Sequence, residues 1–106
     1  MSKSIKKLLS ELKKNLKAIY GDRLKAFYLF GSYARGEEDQ ESDLDVAVVL
    51  DDFDRYGAEV DRTSSITSQL SLDYGVSISK VFLRKQDWIK SETPFLVNIK
   101  EEAIPA

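Results

Sequence analysis

The sequence predicts an α/β fold (α+β in its layering), a small mixed β-sheet with helices packed largely against one face. Three observations predict it. Segments with apolar residues at helical spacing alternate with three short apolar runs. Glycines stand at the ends of those segments, where chain direction has to change. No repeat, low-complexity stretch or linker interrupts the 106 residues, so residues 1–106 read as a single domain.

The first element is a helix over Ser4 to Tyr20, because Ile5, Leu8, Leu9, Leu12, Leu16 and Ile19 recur on one face. Ser4 is the expected N-cap and Gly21 the terminator. Lys25 to Phe30 is short and aromatic-rich and reads as a buried strand closed by Gly31. Ser32 to Gly36 fits one helical turn, and Glu37 to Ser42 a polar loop.

Asp43 to Leu50 is the second strand. Leu44, Val46, Val48 and Leu50 share one side, and Asp43, Asp45, Ala47 and Val49 the other. Arg55 to Tyr74 is a helix with Tyr56, Val60, Thr63, Thr67, Leu70 and Tyr74 near one face, although its Ser/Thr-rich middle is a weak helix former. Gly75 ends it, and Val76 to Leu83 is the third strand. Gln86 to Lys90 forms a helical turn. Thr93-Pro94 caps a closing helix that buries Phe95, Leu96 and Ile99.

Composition narrows the chemistry. Hydrophobic residues make up 42% and charged residues 32%, a balance that suits a water-exposed globular domain, and no apolar run is long enough to span a bilayer. The lysine-rich start is periodic rather than signal-like, so the cytoplasm is the expected location. The net charge of -2 argues against direct nucleic-acid binding. A core this small makes association with a partner, or self-association, more consequential than in a large enzyme. The chain has no Cys and no His, which removes disulfides, thiolate and histidine metal sites, and histidine acid–base catalysis. Catalysis here has to use carboxylates, hydroxyls, Lys, Arg or a hard metal bound by oxygen.

The informative stretch is FGSYARGEEDQESDLDVAVVL, Phe30 to Leu50. Gly31 lets the backbone approach a ligand closely. Ser32 offers a hydroxyl and an N–H where phosphate oxygens bind well. Asp43 and Asp45 alternate by two on a strand, so both carboxylates project from one face. Side by side they repel, unless a divalent cation sits between them. Mg²⁺ prefers one or two carboxylates plus substrate phosphates, which suits phosphoryl or nucleotidyl transfer.

With these residues in hand, GSYARG followed by SDLDVAVV resembles the signature of the DNA polymerase β-like nucleotidyltransferase superfamily, with its palm-like fold. It is most similar to the minimal nucleotidyltransferase (MNT) proteins. The resemblance covers nearly the whole chain. It implies that Gly31 and Ser32 contact the triphosphate of ATP or another nucleoside triphosphate, and that Asp43 and Asp45 bind Mg²⁺ and carry catalysis. Arg35 is either a phosphate ligand or a surface arginine. The resemblance further implies the antitoxin role of a toxin–antitoxin pair. Its partner would be a HEPN-domain toxin, and in some pairs AMP is transferred to a toxin tyrosine.

One departure stands out. The superfamily places a third carboxylate on the strand after the long helix. Here that strand reads VSISKV, with Ser77 or Ser79 at the corresponding place, and Asp73 only precedes it. A serine is no base at neutral pH without its own activator. Three functions therefore stand at this point: a Mg²⁺-dependent AMP transferase acting on a partner protein, a nucleotide-binding module that neutralises a partner by contact, and one subunit of a two-part small-molecule nucleotidyltransferase. The acidic loop Glu37, Glu38, Asp39 and Glu41 reads as a solvated surface, and Lys80 as a sheet-edge lysine rather than a phosphate ligand.

Overall fold

A computed structural model describes residues 1–106. Helix α1 spans Lys3–Tyr20 and buries Ile5, Leu8, Leu9, Leu12, Leu16 and Tyr20, leaving its lysine-rich face in water. Its cap is Ser2, not Ser4. Ser2 Oγ accepts the Ile5 N–H at 3.1 Å, and Ser4 already lies within the first turn. Gly21, at φ +56°, ends the helix as expected.

The sheet has the order β3-β2-β1-β4. Strands β1 (Leu24–Phe30) and β2 (Leu44–Leu50) are antiparallel neighbours, and β2 runs parallel to β3 (Ile78–Arg84). Helix α3 (Tyr56–Tyr74) makes the crossover between the parallel pair. A fourth strand, β4 (Ile104–Pro105), pairs with Tyr28 and Leu29 on the other edge and was not foreseen from sequence.

Strand β2 is the centre of the molecule. Leu44, Val46, Val48 and Leu50 are fully buried in the larger core, with residues of α1 and α3. Ala47 and Val49 are buried on the opposite face with Trp88, Leu96 and Ile99. Helices therefore cover both faces. The two long ones take one side, and the short α4 (Lys85–Lys90) and α5 (Pro94–Glu102) take the other. The reason is legible in β2 itself, which is apolar at every position from Val46 to Leu50, so neither face tolerates water. Tyr28 stacks on Trp88 at 4.9 Å between ring centroids and fills the gap between the sheet and α4.

In α5, Thr93 Oγ1 accepts the Leu96 N–H and Pro94 occupies the first turn, as the sequence implied. Phe95 is 55% exposed, contrary to expectation, while Leu96 and Ile99 are buried. No helix is long and apolar enough to cross a membrane.

The serines and threonines of α3 are compatible with helix because their hydroxyls bond back to it. Thr63 Oγ1 donates to the Glu59 carbonyl and Thr67 Oγ1 to the Thr63 carbonyl. Those same hydroxyls accept from Lys80 Nζ at 2.9 and 3.0 Å. Burial lowers the pKa of Lys80 below the usual lysine value. The helix also buries Glu59, whose carboxylate accepts from Tyr20 Oη at 2.8 Å and Arg62 Nε at 3.0 Å. Burial alone would raise the pKa of Glu59, but the bonds from Arg62 and Tyr20 together outweigh it and hold it below the usual glutamate value.

Candidate active site

The site lies where β1 turns into β2. Phe30, the last residue of β1, faces Asp45 across the antiparallel ladder. The chain then leaves the sheet through Gly31, at φ +75°, into the single-turn helix α2 (Gly31–Arg35). Left-handed Gly36 closes α2, and the Glu37 N–H donates to the Ser32 carbonyl at 2.9 Å. The polar loop is locked by Asp39 and Ser42. Ser42 Oγ accepts the Asp39 N–H, and Asp39 Oδ1 accepts the Glu41 N–H. Glu37, Asp39 and Glu41 remain exposed, as a solvated loop should.

This path delivers Asp43 to an exposed position just ahead of β2 and Asp45 to the second position of the strand. The Leu44 N–H donates to the Ser77 carbonyl at 2.8 Å, so the strand between the two acids is anchored to the chain entering β3. Asp45 packs directly against Gly31. A Cβ at Gly31 would collide with the Asp45 carboxylate oxygen and lie 3.0 Å from Cγ and 3.2 Å from Cβ. Gly31 and Asp45 thus meet in space, with Asp43 close enough to act on Asp45 through its charge.

The electrostatics are those of a site missing positive charge. Burial first, then the negative charges of Asp43 and Glu102, raise the pKa of Asp45 above the usual aspartate value; Arg35 and the Ser79 hydroxyl oppose them. A partly buried carboxylate repelled by two others is a hard-oxygen donor set that a divalent cation would relieve. Asp43 and Asp45 are the residues that could hold a divalent cation here, since Mg²⁺ accepts one or two carboxylates with the remaining oxygens from a substrate.

The register separates the two serines, Ser77 and Ser79. Ser79 is the Cα partner of Asp45 on β3, whereas Ser77 precedes the strand and is exposed. Lys80 pairs with Val46 and so points to the α3 side of the sheet, away from the acids. Asp73 accepts from Gln69 Nε2 on exposed α3 surface and is not in the site.

Sequence reasoning missed one residue. Glu102, at the end of α5, accepts the Gly31 N–H on Oε1 at 2.9 Å and Arg35 NH1 on Oε2 at 2.7 Å. Arg35 Nε also donates to Glu37 at 3.1 Å. The Arg35 bond, opposed by burial and helped by the Gly31 N–H, keeps the Glu102 pKa below the usual glutamate value. Glu102 lies 71 residues from Gly31 in the chain, and no local pattern marks it.

The mixed sheet, with helices on both faces and a first hairpin that sets Gly31 against Asp45, defines the fold as an α/β domain. The nucleotidyltransferase domain family matches residues 5–105, and the chain belongs to that family. It is 37% identical over 78 residues to a Methanocaldococcus jannaschii protein described provisionally as a protein adenylyltransferase, covering 74% of this chain and 78% of that protein. A solved structure described provisionally as a minimal nucleotidyltransferase superposes with a TM-score of 0.57 at 25% identity, over 96% of this chain and 95% of the other. A Shewanella oneidensis complex of tri-AMPylated HEPN toxin with MNT antitoxin superposes with a TM-score of 0.52 at 18% identity, over 92% and 70% of the two chains. That last likeness is one of fold.

Proposed function

We propose that the chain binds ATP with Mg²⁺ through Gly31, Ser32, Arg35, Asp43 and Asp45 and transfers AMP to a hydroxyl of a partner protein in the cytoplasm. The partner we favour is a HEPN-domain toxin, with this chain as antitoxin. The observation that carries the reading is the packing of the Asp45 carboxylate onto Gly31 with the charge of Asp43 beside it. The family membership, the adenylyltransferase description of the 37%-identical relative and the AMPylated complex sharing the fold support the same direction.

In the transfer, an acceptor hydroxyl oxygen bonds to the α-phosphorus. The bridging P–O bond to the β-phosphate breaks, and pyrophosphate leaves with that electron pair. When bound, Mg²⁺ supplies charge neutralisation on the phosphates. Asp43 and Asp45 would hold it, and Ser32 and the Gly31 backbone would hold the outer phosphates. No carboxylate stands beside Asp45 on β3, where Ser79 lies, so the acceptor proton passes to water.

That serine favours a second reading, in which the chain neutralises its partner by contact and turnover is slow or absent. One experiment separates the two. Purified protein is incubated with labelled ATP, Mg²⁺ and the protein encoded by the adjacent gene. Label on the partner that disappears with Asp43→Asn or Asp45→Asn establishes transfer. No label, together with Asp45→Ala protecting cells from the partner as well as wild type does, establishes the contact reading. Absence of ATP affinity at millimolar concentration removes the nucleotide site altogether.

A further inference from the structure

The Gly31 N–H and the Arg35 guanidinium, two donors that the proposed nucleotide site offers to phosphate, are already taken by an internal anion. Glu102 Oε1 accepts the first at 2.9 Å and Oε2 the second at 2.7 Å. Both oxygens of one carboxylate are committed, one to each donor. A phosphate group presents the same chemistry: paired anionic oxygens able to accept from a backbone N–H and an arginine at once.

From this geometry we infer that Glu102 is a tethered competitor of the triphosphate, a side chain that occupies the phosphate donors in the free protein and must swing out when nucleotide binds. The inference rests on the nucleotide site proposed above. Three features of the structure support displacement of the side chain alone. Its backbone is fixed on both sides, by the Ala103 N–H donating to the Ile99 carbonyl and the Ala106 N–H donating to the Phe27 carbonyl. Its side chain is 27% exposed and has a path to solvent. Its carboxylate is held by two hydrogen bonds, from the Gly31 N–H and Arg35, and a phosphate could accept from both donors in its place.

A role as the missing third carboxylate fits the contacts less well. A general base or metal ligand needs an oxygen aimed at the acceptor or the cation, and the Glu102 oxygens are turned instead to the Gly31 N–H and the Arg35 guanidinium. As a competitor, Glu102 makes affinity conditional. A partner that draws the Glu102 side chain out releases Gly31 and Arg35 together and tightens nucleotide binding.

The test is the ATP dissociation constant of the full chain with Mg²⁺, by calorimetry, for wild type, Glu102→Ala, Glu102→Gln and Asp45→Asn. Glu102→Ala is expected to bind about tenfold more tightly than wild type. Glu102→Gln, which keeps one acceptor but loses the charge, should fall between the two. If Glu102→Ala unfolds early, the isosteric Glu102→Gln carries the comparison. Unchanged or weaker ATP binding in the folded Glu102 variants overturns the competitor role. Tighter binding that comes with lost transfer to the partner leaves it standing and adds a second role. Tightening in the Glu102 variants with no weakening in Asp45→Asn fails the acid-pair assignment instead, so the two ideas can fall separately.

Discussion

Replacing Gly31 with alanine tests the geometry of the site without touching a charged group. Two costs can be read from the structure. Gly31 has φ +75°, where a side chain costs about 1–2 kcal/mol. The new Cβ would also collide with the Asp45 carboxylate oxygen and lie 3.0 Å from Cγ, so the carboxylate has to shift. Overpacking of this kind costs about 1–3 kcal/mol. The sum is about 2–5 kcal/mol, and at its lower end the melting temperature falls by about 8–16 °C for a domain of this size. Asp45→Ala removes the colliding carboxylate, so the double variant should regain about 1–2 kcal/mol of the loss while the backbone cost stays. Urea unfolding of the four proteins gives the coupling energy directly. A coupling below about 0.5 kcal/mol, or Gly31→Ala as stable as wild type, would refute the claim that Gly31 and Asp45 share one space.

Further outcomes follow from residues around that pair. Asp45→Asn should raise thermal stability while abolishing Mg²⁺-dependent ATP binding, since it removes a carboxylate repelled by Asp43 and Glu102; a destabilised variant would contradict the charge balance. Ser79→Asp places a carboxylate opposite Asp45 and is expected to speed transfer at least tenfold if proton removal limits it, measured as label incorporated per minute. Lys80→Met should leave ATP affinity unchanged, because Lys80 bonds to α3 on the far side of the sheet; weaker affinity would bring it back as a phosphate ligand. For Glu59 the folded pKa is depressed, so its contribution to stability is present above the unfolded value and lost as pH falls through the lower folded value. Glu59→Gln should therefore flatten the acid limb of a stability–pH curve below about pH 5, and an unchanged limb would assign acid sensitivity to other groups.

The parts of the fold and site legible in the sequence were those set by neighbours in the chain. The face of α1 follows from its leucine spacing, and the meeting of Gly31 with Asp45 follows from a strand, a glycine and an alternate acid pair within one hairpin. The N-cap was misplaced by two residues because Ser2 and Ser4 both precede the apolar repeat, and only the bond to Ile5 distinguishes them. Nothing local marks Glu59 for burial, since charge favours exposure; its burial depends on Tyr20, which lies 39 residues away. Strand β4 is two residues long and includes a proline, so it carries no alternation to read. Glu102 was invisible for the same reason as β4: its place is set by the return of the chain end to β1, not by anything local.

The hairpin that joins β1 to β2 has a bearing on how the molecule comes to be assembled. Its ends are linked only by residues 31–43, while the parallel β2–β3 ladder must wait for the whole α3 crossover and Glu102 for the closing of the chain's far end. Closing a short loop forfeits less chain entropy than closing a long one. The glycine bend and the aspartates therefore meet through the cheapest contact the topology offers, and the carboxylate that guards them arrives last. In a nascent chain Gly31 and Asp45 are both made before Glu102 exists.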